Sequence, residues 1–289
     1  MIAEAFLLLK YALPVALAGV GESVSQKSGV INIGIEGTML LSAFVGLVVT
    51  VHSQSPWLGV LAGVGAACTL TLCLAWFILR LAADQVVVGT AANLFALGLT
   101  GTLFRAQFGQ SGQLLSVPRI PALGSTGVDP VQIFLLLSVG GLTWLVSRSK
   151  WGLAVRAAGE YPDSAEASGF SVLKLRLTAM LVGGFYAGLA GTYLSLGIAG
   201  SFAEGMTAGR GFVAIAVVTF GRWRPFWILA ASLLIGYAES LQFRFQSQGV
   251  GLPFQLFIAM PYLVALIVLV VVGKGTHAPG ALGVPFRRR

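Results

Sequence analysis

The sequence predicts an all-α polytopic membrane helix bundle with about eight or nine transmembrane helices. Three observations predict this fold class: 56% of the side chains are hydrophobic, only 10% are charged, and the mean hydropathy is +0.88. A soluble domain carries about 25% charged residues, so the composition excludes a soluble globular protein. A spanning helix needs ~20 apolar residues, which leaves room for about nine crossings if roughly two-thirds of the chain lies in the bilayer.

Hydropathy along the chain predicts nine apolar segments. They lie near 3–21, 36–53, 56–80, 86–105, 130–147, 174–199, 209–221, 225–243 and 254–273. Eight of them are long enough to cross a bilayer. The seventh, 209–221, is short, and a short helix at membrane depth is tolerated only where protein or a water-filled cavity surrounds it. We therefore expect this segment to be a half-helix or a steeply packed inner helix.

The distribution of Lys and Arg predicts the orientation of the chain in the membrane. With the amino terminus outside, thirteen basic residues fall on the inner side and four on the outer side. The outer set is Arg105, Arg119, Arg210 and Arg244, and the inner set is Lys27, Arg80, Arg148, Lys150, Arg156, Lys174, Arg176, Arg222, Arg224, Lys274 and Arg287–Arg289. We expect a cytoplasmic carboxyl terminus, anchored by its last three arginines. The net charge of +8 is then an orientation signal and not a nucleic-acid footprint.

The connection between the first two spans, 25–37, has an unusual composition for a loop. It alternates β-branched residues with glycines and carries Asn32 and Glu36 among apolar neighbours, which predicts an extended or broken backbone beside the second span. Broken backbone at membrane depth commonly lines a substrate route, and an ionisable residue near it is a candidate functional residue. Alternatively, Glu36 caps the second helix at the inner interface through the helix dipole. The residues leave both interpretations open.

The inner connection, 148–176, is polar and predicts a short surface helix. Pro162 stands at a first helical position, Asp163 falls in the first turn, and Gly169 follows the last turn. Basic residues on both sides, including Arg156 and Arg176, would hold this helix against the inner face of the membrane. The helix is either a passive linker or a handle for a cytoplasmic motor.

We expect one transmembrane domain over 1–289. Its halves are about 1–106 and 174–273, joined by an outer loop 106–129, a helix 130–147 and the inner coupling loop 148–176. The order helix, glycine-rich polar break, apolar helix occurs at 5–53 and again at 174–221, which gives modest support for an internal repeat. The outer loop is either solvated or a docking surface for an extracytoplasmic partner.

Enzyme signals are missing from the sequence. His52 and His277 are far apart and neither has a partner at metal-ligand spacing, so no catalytic residue and no metal site are predicted. The phosphate-binding motif Gly-x-x-x-x-Gly-Lys-Ser/Thr does not occur. The sequence therefore predicts a protein that binds no cofactor and hydrolyses no ATP itself.

Four stretches of the chain resemble the blocks of a known family, in the family's order. They are Ser28–Gly37 (SGVINIGIEG), Gln85–Gly89 leading to Asn93, Arg156–Glu160 leading to Ala165–Gly169, and Gly209–Ala216. Together they are similar to the inner-membrane permease subunits of ABC importers in the simple-sugar and nucleoside branch, which is related to the ribose and branched-chain amino acid permeases.

The resemblance implies roles for particular residues. It implies a substrate path at Asn32, Gly34, Glu36 and Asn93, while 209–216 would mirror the first break in an inverted second half. It implies that 156–169 is the coupling helix that contacts the ATPase, with Arg156, Glu160, Pro162, Asp163, Glu166 and Gly169.

The resemblance also implies a setting. The partners would be an ATP-binding subunit that holds the ATP, a second permease subunit of paralogous sequence and an extracytoplasmic substrate-binding protein, in the lipid bilayer of a bacterial plasma membrane. The form Val30–Gly37 is similar to that of the nucleoside branch. Asn32, Asn93, Gln242, Phe95 and Tyr237 could contact a nucleoside. Simple sugars, nucleobases and branched-chain amino acids remain alternatives, as does an ion-coupled secondary transporter that uses Glu36 and Glu239.

Overall fold

The fold of the described residues is all-helical. A computed structural model describes residues 2–109, 117–124, 127–247, 254–272 and 277–286, and in these ranges it contains no strand beyond one isolated bridge between Leu123 and Val128. The helices are α1 Ile2–Lys27, α2 Ile35–Ser53, α3 Pro56–Ala75, α4 Gln85–Phe108, α5 Pro130–Arg148, α6 Lys150–Glu160, α7 Pro162–Ala167, α8 Val172–Thr192, α9 Arg210–Phe220, α10 Pro225–Ser247 and α11 Phe254–Val272. Wide π-helical turns extend α3 through Trp76–Arg80 and α8 through Tyr193–Ala199.

Among the described residues, five helices are long and apolar enough to cross a membrane. They are α2, α3 with its π-helical turn, α4, α5, and α8 with its π-helical turn. α9 has 11 residues, as short as expected from its sequence. The chain is therefore a multi-pass membrane protein.

Helices α1 and α8 form the centre of the bundle and pack on each other. α1 also contacts α9 and α10, while α8 contacts α2 and α3. The largest fully buried apolar side chains include Leu13 and Leu17 of α1 and Met39 of α2. Contact between α8 and α2 is close, since a Cβ added at Gly191 would lie 2.0 Å from the Met39 carbonyl oxygen. Small residues permit such close helix packing in membranes.

The short helix predicted to begin at Pro162 is present as α7, and a second helix, α6, precedes it. α6 ends at Glu160 and α7 begins at Pro162, so the expectation of one coupling helix over 156–169 is corrected to a pair of helices that meet at Tyr161. The cause is local, because a residue before proline is pushed out of the helical region. Tyr161 has φ −136° and ψ 79°. Pro162 does stand at the first turn of α7, and Gly169 has φ +87° just after it.

A carboxyl-terminal strap, residues 277–286, crosses the surface formed by α6 and the chain after α1. Ala281 donates a backbone hydrogen bond to Gly159 of α6 at 2.8 Å, and Gly283 donates one to Gly29 at 3.0 Å. The strap therefore ties α6 to the chain that follows α1. Lys274 and Arg287–Arg289, which the sequence assigns to the inner side, lie outside the described residues.

Arg176 is the largest fully buried side chain and holds the strap in place. Its Nε donates to the Ser28 carbonyl at 3.1 Å and its Nη1 to the Val284 carbonyl at 3.0 Å, while the guanidinium lies 5.9 Å from the centre of the Phe286 ring. The prediction that Arg176 is a loop residue facing the membrane is wrong. Its long side chain is needed inside, where it satisfies carbonyl oxygens that end helix α1 and the strap.

Candidate functional site: a cavity where two helix N-termini meet

Glu36, in the first turn of α2, reaches across to the beginning of α9. Its Oε1 accepts a hydrogen bond from the Gly209 N–H at 2.7 Å, and its Oε2 accepts one from the Gly211 N–H at 2.6 Å. The first N–H groups of a helix lack partners within the helix, and the positive end of the helix dipole favours a carboxylate. Both oxygens of the carboxylate are therefore bonded to the beginning of α9, while Glu36 itself lies in the first turn of α2. Its hydrogen bonds cap α9 and not its own helix.

Two glycines at the beginning of α9, one just before the helix and one in its first turn, permit this junction. Gly209 has φ +83°, a left-handed conformation that favours glycine. A Cβ at Gly211 would lie 2.7 Å from the Glu36 Cα and backbone nitrogen, a distance at which the two helices must separate. The beginning of α9 thus approaches the beginning of α2 closely only because both of these positions are glycine and carry no Cβ.

The irregular backbone before each of these helices is fixed by a side chain from another helix. Before α2, Asn93 of α4 donates from Nδ2 to the Ile33 carbonyl at 3.0 Å and accepts from the Gly37 N–H at 2.8 Å. Before α9, the Tyr262 hydroxyl of α11 donates to the Ala208 carbonyl. Both breaks therefore satisfy their backbone groups inside the protein, as broken chain at membrane depth must.

A cavity of about 400 Å³ opens beside this junction. α2, α4 and α9, with the chain before α9, form its wall: Glu36, Gly37, Leu40, Thr90, Asn93, Leu94, Leu97, Gly205, Thr207, Ala208 and Phe212. The wall is mostly apolar with a few convergent polar groups, which is the usual character of a small-molecule site.

The structure brings Glu36 and Asn93 to this cavity and leaves Asn32 and Gly34 outside its lining. Asn32 is only 3% exposed and its N–H donates to Glu22 Oε1 of α1 at 2.9 Å. Gly34 is pressed against α3 and α4, with a Cβ position 3.0 Å from Leu74. The extended chain turns these two residues toward α1 and α3, and their place on a substrate path stays a prediction.

Several lining residues escaped sequence reasoning. Thr207 and Phe212 were not singled out individually, although Phe212 lies inside the stretch 209–216 that the resemblance marked. Phe95 and Tyr237, which the sequence offered for contact with a nucleoside, do not line this cavity. They are 57% and 49% exposed.

Charges near the cavity are paired within the described part of the chain. Arg210 at the start of α9 lies 3.1 Å from a Glu239 carboxylate oxygen of α10. Arg105 lies 3.4 Å from Glu204. No group of three or more His, Cys, Asp or Glu side chains suited to a metal occurs among the described residues.

On the surface that carries α6 and α7, three of the predicted coupling residues are engaged within the chain. Glu166 Oε2 accepts from the Val172 N–H at 3.0 Å, which caps α8. Glu160 Oε2 accepts from Gly280 in the carboxyl-terminal strap at 3.0 Å, and Arg156 Nη2 donates to the Ser147 carbonyl at 3.3 Å.

The solvent-exposed residues of this surface are not the predicted coupling residues that bond within the chain. Asp163 is exposed, and it is flanked by two aromatic side chains, Tyr161 at 73% and Phe170 at 45% exposure. Exposed aromatic residues grouped around a short helix are typical of protein contact sites. The sequence analysis did not single out Tyr161 or Phe170 as contact residues.

A multi-pass helix bundle with a mostly apolar cavity between broken helices is typical of a membrane transport protein. Within that class, the chain belongs to the family described as the branched-chain amino acid transport system / permease component, which matches residues 5–273.

Individual relatives cover most of the chain. It is 37% identical to a putative glucose ABC transporter permease of Haloferax volcanii, over 82% of this chain and 75% of the relative. It is 31% identical to the guanosine ABC transporter permease NupQ of Bacillus subtilis, over 96% of this chain and 94% of the relative. A nucleoside ABC transporter permease, NupC of Lactococcus lactis, is also 31% identical, over 96% and 95%. The resemblance drawn from the four sequence blocks is confirmed.

Proposed function

We propose that the chain is the membrane-spanning permease subunit of an ATP-driven importer, and that it moves nucleosides by alternating access. The observation that carries this proposal is the junction at Glu36, where the beginnings of α2 and α9 share one carboxylate beside the cavity. Broken helices that meet at a substrate site are a recurrent transporter architecture.

In this proposal the cavity lies near the middle of the membrane. α9 has 11 residues and is therefore about 16 Å long, about half of a ~30 Å hydrocarbon core. Its C-terminal end leads into Arg222 and Arg224, which belong to the inner basic set. Its N-terminal end is at Glu36, so the junction lies about half a membrane above the inner face.

The proposal also relates the two halves, about 1–106 and 174–273, as an inverted repeat of eight or nine crossings in total. The exchanged packing of α1 and α8 supports it, since each contacts the two helices that follow the other. The two breaks are also held alike, by Asn93 of α4 in one half and Tyr262 of α11 in the other.

The electrostatics of the cavity favour a neutral substrate. Glu36 already occupies the positive ends of both helices, and neither Lys nor Arg is among the described residues that line the cavity. A nucleotide phosphate would find no cationic partner there. A nucleoside is neutral, its base suits the apolar surface of Leu40, Leu94 and Phe212, and its hydroxyls suit Thr90 and Thr207.

A simple sugar is the second candidate substrate. The relative that is 37% identical to this chain is named as a putative glucose permease. The apolar share of the lining favours the nucleoside, because a sugar presents hydroxyl groups on all sides and each unpaired one is costly to bury. A zwitterionic amino acid fits the cavity less well for the same electrostatic reason as a nucleotide.

An ion-coupled secondary transporter is disfavoured by the state of its two candidate carboxylates. Glu36 accepts from two backbone N–H groups, and Glu239 is paired with Arg210. Both acidic groups are thus already stabilised by donors of this chain.

In the proposed mechanism, the partner ATPase binds and hydrolyses ATP, and this chain performs no bond chemistry. Closure of the ATPase would move α6 and α7 through contacts at Tyr161, Asp163 and Phe170. Because the carboxyl-terminal strap and Arg176 link α6 to the chain after α1, that movement would reach the break before α2. A loaded substrate-binding protein would deliver substrate from the outer side, and a second permease subunit would complete the pathway.

The test is reconstitution of the complete transporter in liposomes. We expect ATP-dependent uptake of radiolabelled guanosine that unlabelled nucleosides compete away and that glucose and guanosine monophosphate do not. ATP-dependent uptake of radiolabelled glucose without uptake of guanosine would instead assign the sugar function. Uptake by the purified chain without an ATP-binding subunit would contradict the importer proposal and restore Glu36 and Glu239 as candidate ion sites.

A further inference from the structure

A groove of about 620 Å³ lies along α10 and shares no lining residue with the cavity at Glu36. α9, α10 and α11 supply its apolar wall, which consists of Phe220, Trp227, Ala230, Ala231, Leu234 and Val268. Two arginines, Arg222 and Arg224, line the end of the groove at the turn between α9 and α10. The groove is thus amphipathic along its length.

The turn that presents these arginines has an unusual backbone. Arg222 has φ +49° and Trp223 has φ +56°, and the left-handed region costs a non-glycine residue about 1–2 kcal/mol. Trp223 is 6% exposed, and its Nε1 donates to Gln26 Oε1 at 2.8 Å. With Trp223 directed into the protein, the residues on either side of it both line the groove. Such local strain is a reason to look for a function.

The charge at this end of the groove is strongly positive. Neither arginine has a carboxylate partner within the described part of the chain. Burial, and then the positive charges of Arg156 and Arg224, lower the pKa of Lys27, which follows the predicted span 3–21, to about 8. Arg224 therefore shares this corner of the molecule with two further basic groups.

The same combination occurs in two other membrane-facing grooves. One of about 230 Å³ combines Arg80 and Lys174 with Trp76, and one of about 540 Å³ combines Arg148 with Trp144. All of these basic residues belong to the predicted inner set. Apolar grooves with a basic end and an interfacial tryptophan match the shape and charge of an amphiphile at the membrane surface.

We propose that the Arg222–Arg224 groove is a binding site for one anionic phospholipid, with the phosphate held by the two guanidinium groups and an acyl chain lying against Ala230, Leu234 and Val268. Arginine is suited to phosphate because its planar fork donates two parallel hydrogen bonds. The groove accommodates the headgroup and the first part of one chain, while the rest of the lipid lies in the bilayer. The site does not depend on which substrate the cavity carries.

The test is native mass spectrometry of the full chain purified in mild detergent and titrated with phosphatidylglycerol, phosphatidylcholine or inorganic phosphate. We expect wild type to retain phosphatidylglycerol in preference to phosphatidylcholine. Arg222→Gln/Arg224→Gln should lower that retention at least about tenfold, because it removes charge-assisted hydrogen bonds worth about 1.5–3 kcal/mol each.

Matched variants separate the groove from general surface charge. Arg119→Gln/Lys150→Gln removes two exposed basic groups that line none of the cavities named above, and should leave retention unchanged. Ala230→Trp fills the apolar part without altering charge and should reduce retention. It also keeps the proposal testable if the arginine variant fails to fold.

Three outcomes would overturn the assignment. The first is equal retention of phosphatidylglycerol by wild type and Arg222→Gln/Arg224→Gln. The second is displacement of the lipid by an equal concentration of inorganic phosphate, which would make the groove a free-anion site. The third is efficient disulfide cross-linking of two copies through Ala230→Cys, with Cys68 and Cys73 replaced by Ser, which would make the groove a subunit interface.

Discussion

Glu36 and Gly211, 175 residues apart in the chain, are joined by a 2.6 Å hydrogen bond between the carboxylate Oε2 and the backbone N–H. The bond links the beginning of a helix in one half to the beginning of a helix in the other. Because a second oxygen of the same carboxylate binds Gly209 at 2.7 Å, any movement of α2 relative to α9 must break or carry along both bonds. The junction therefore couples the first turns of α2 and α9 directly, in addition to the packing of α1 on α8.

Replacement of Glu36 by Gln should disrupt this junction. The amide keeps one acceptor oxygen but turns an NH2 group toward a backbone N–H and removes the negative charge from two helix N-termini. We expect at least about a tenfold loss of ATP-dependent uptake, since each hydrogen bond to a charged group is worth about 1.5–3 kcal/mol. Glu204→Gln is the control, because Glu204 lies in a partly exposed pair with Arg105. Wild-type uptake by Glu36→Gln would contradict the assigned role.

Replacement of Gly211 by Ala tests the close approach of the two helices without altering charge. The added methyl would lie 2.7 Å from the Glu36 backbone, and overpacking of this kind costs about 1–3 kcal/mol. Gly98→Ala in α4 is the matched control, because a Cβ there meets nothing within 4 Å. In a thermal unfolding assay in detergent we expect Gly211→Ala to melt earlier than wild type. Gly98→Ala should melt at the same temperature or later, since alanine favours the helix.

Asn93 supports the break before α2 with a donor and an acceptor, which can be removed separately. Asn93→Asp keeps the acceptor for Gly37 but leaves the Ile33 carbonyl without its donor, a loss of about 1–3 kcal/mol for a buried group. Asn93→Leu removes both bonds and should cost more. Thr90→Val alters the same cavity, but Thr90 bonds only carbonyls of its own helix, so it should change the apparent substrate affinity and not the melting temperature. Equal melting temperatures for all three variants would contradict this ranking.

The sequence predicted the helical segments well because hydropathy directly reflects which segments lie in lipid. The short length of 209–221 and the turn at Pro162 were also visible, since each depends on local chemistry. Contacts that join distant residues were not visible. Gly211 could not be matched with Glu36, and the strap could not be foreseen, because 277–286 has no periodicity and its partners lie far away along the chain.

The placement of individual side chains failed where the backbone is irregular. Asn32 was expected at the cavity, but outside a helix or strand no repeating angle decides which way a side chain points. Arg176 was counted as an inner loop charge, whereas it is 1% exposed and donates to two carbonyls. Composition alone does not distinguish a surface arginine from a buried one whose guanidinium donates hydrogen bonds to backbone carbonyls.

Arg176 gives a test of the inner surface. Arg176→Met should destabilise the protein by about 2 kcal/mol or more, because the Ser28 and Val284 carbonyls lose their donors. Arg176→Lys keeps an ammonium group that can donate to one of the two carbonyls. Its melting temperature should therefore lie between those of wild type and Arg176→Met. Lys174→Met, two residues earlier on the exposed side of the same helix, is the control. Thermal unfolding in detergent measures all three, and a wild-type melting temperature for Arg176→Met would show that the strap is not held by this side chain.

The outward face of α7 gives a test of the contact with the ATP-binding subunit. Tyr161→Ala/Asp163→Ala/Phe170→Ala removes exposed side chains and none of the Glu160, Glu166 or Arg156 bonds that hold the inner surface together. We therefore expect wild-type membrane insertion and melting, with at least about a tenfold loss of co-purified ATP-binding subunit, because truncation of aromatic contact residues commonly costs 2 kcal/mol or more. Leu137→Ala, which removes a 71% exposed side chain on α5, is the matched control and should retain the subunit. Normal co-purification and uptake in the triple variant would place the coupling surface elsewhere. A loss of melting temperature would instead show that these side chains stabilise the chain itself.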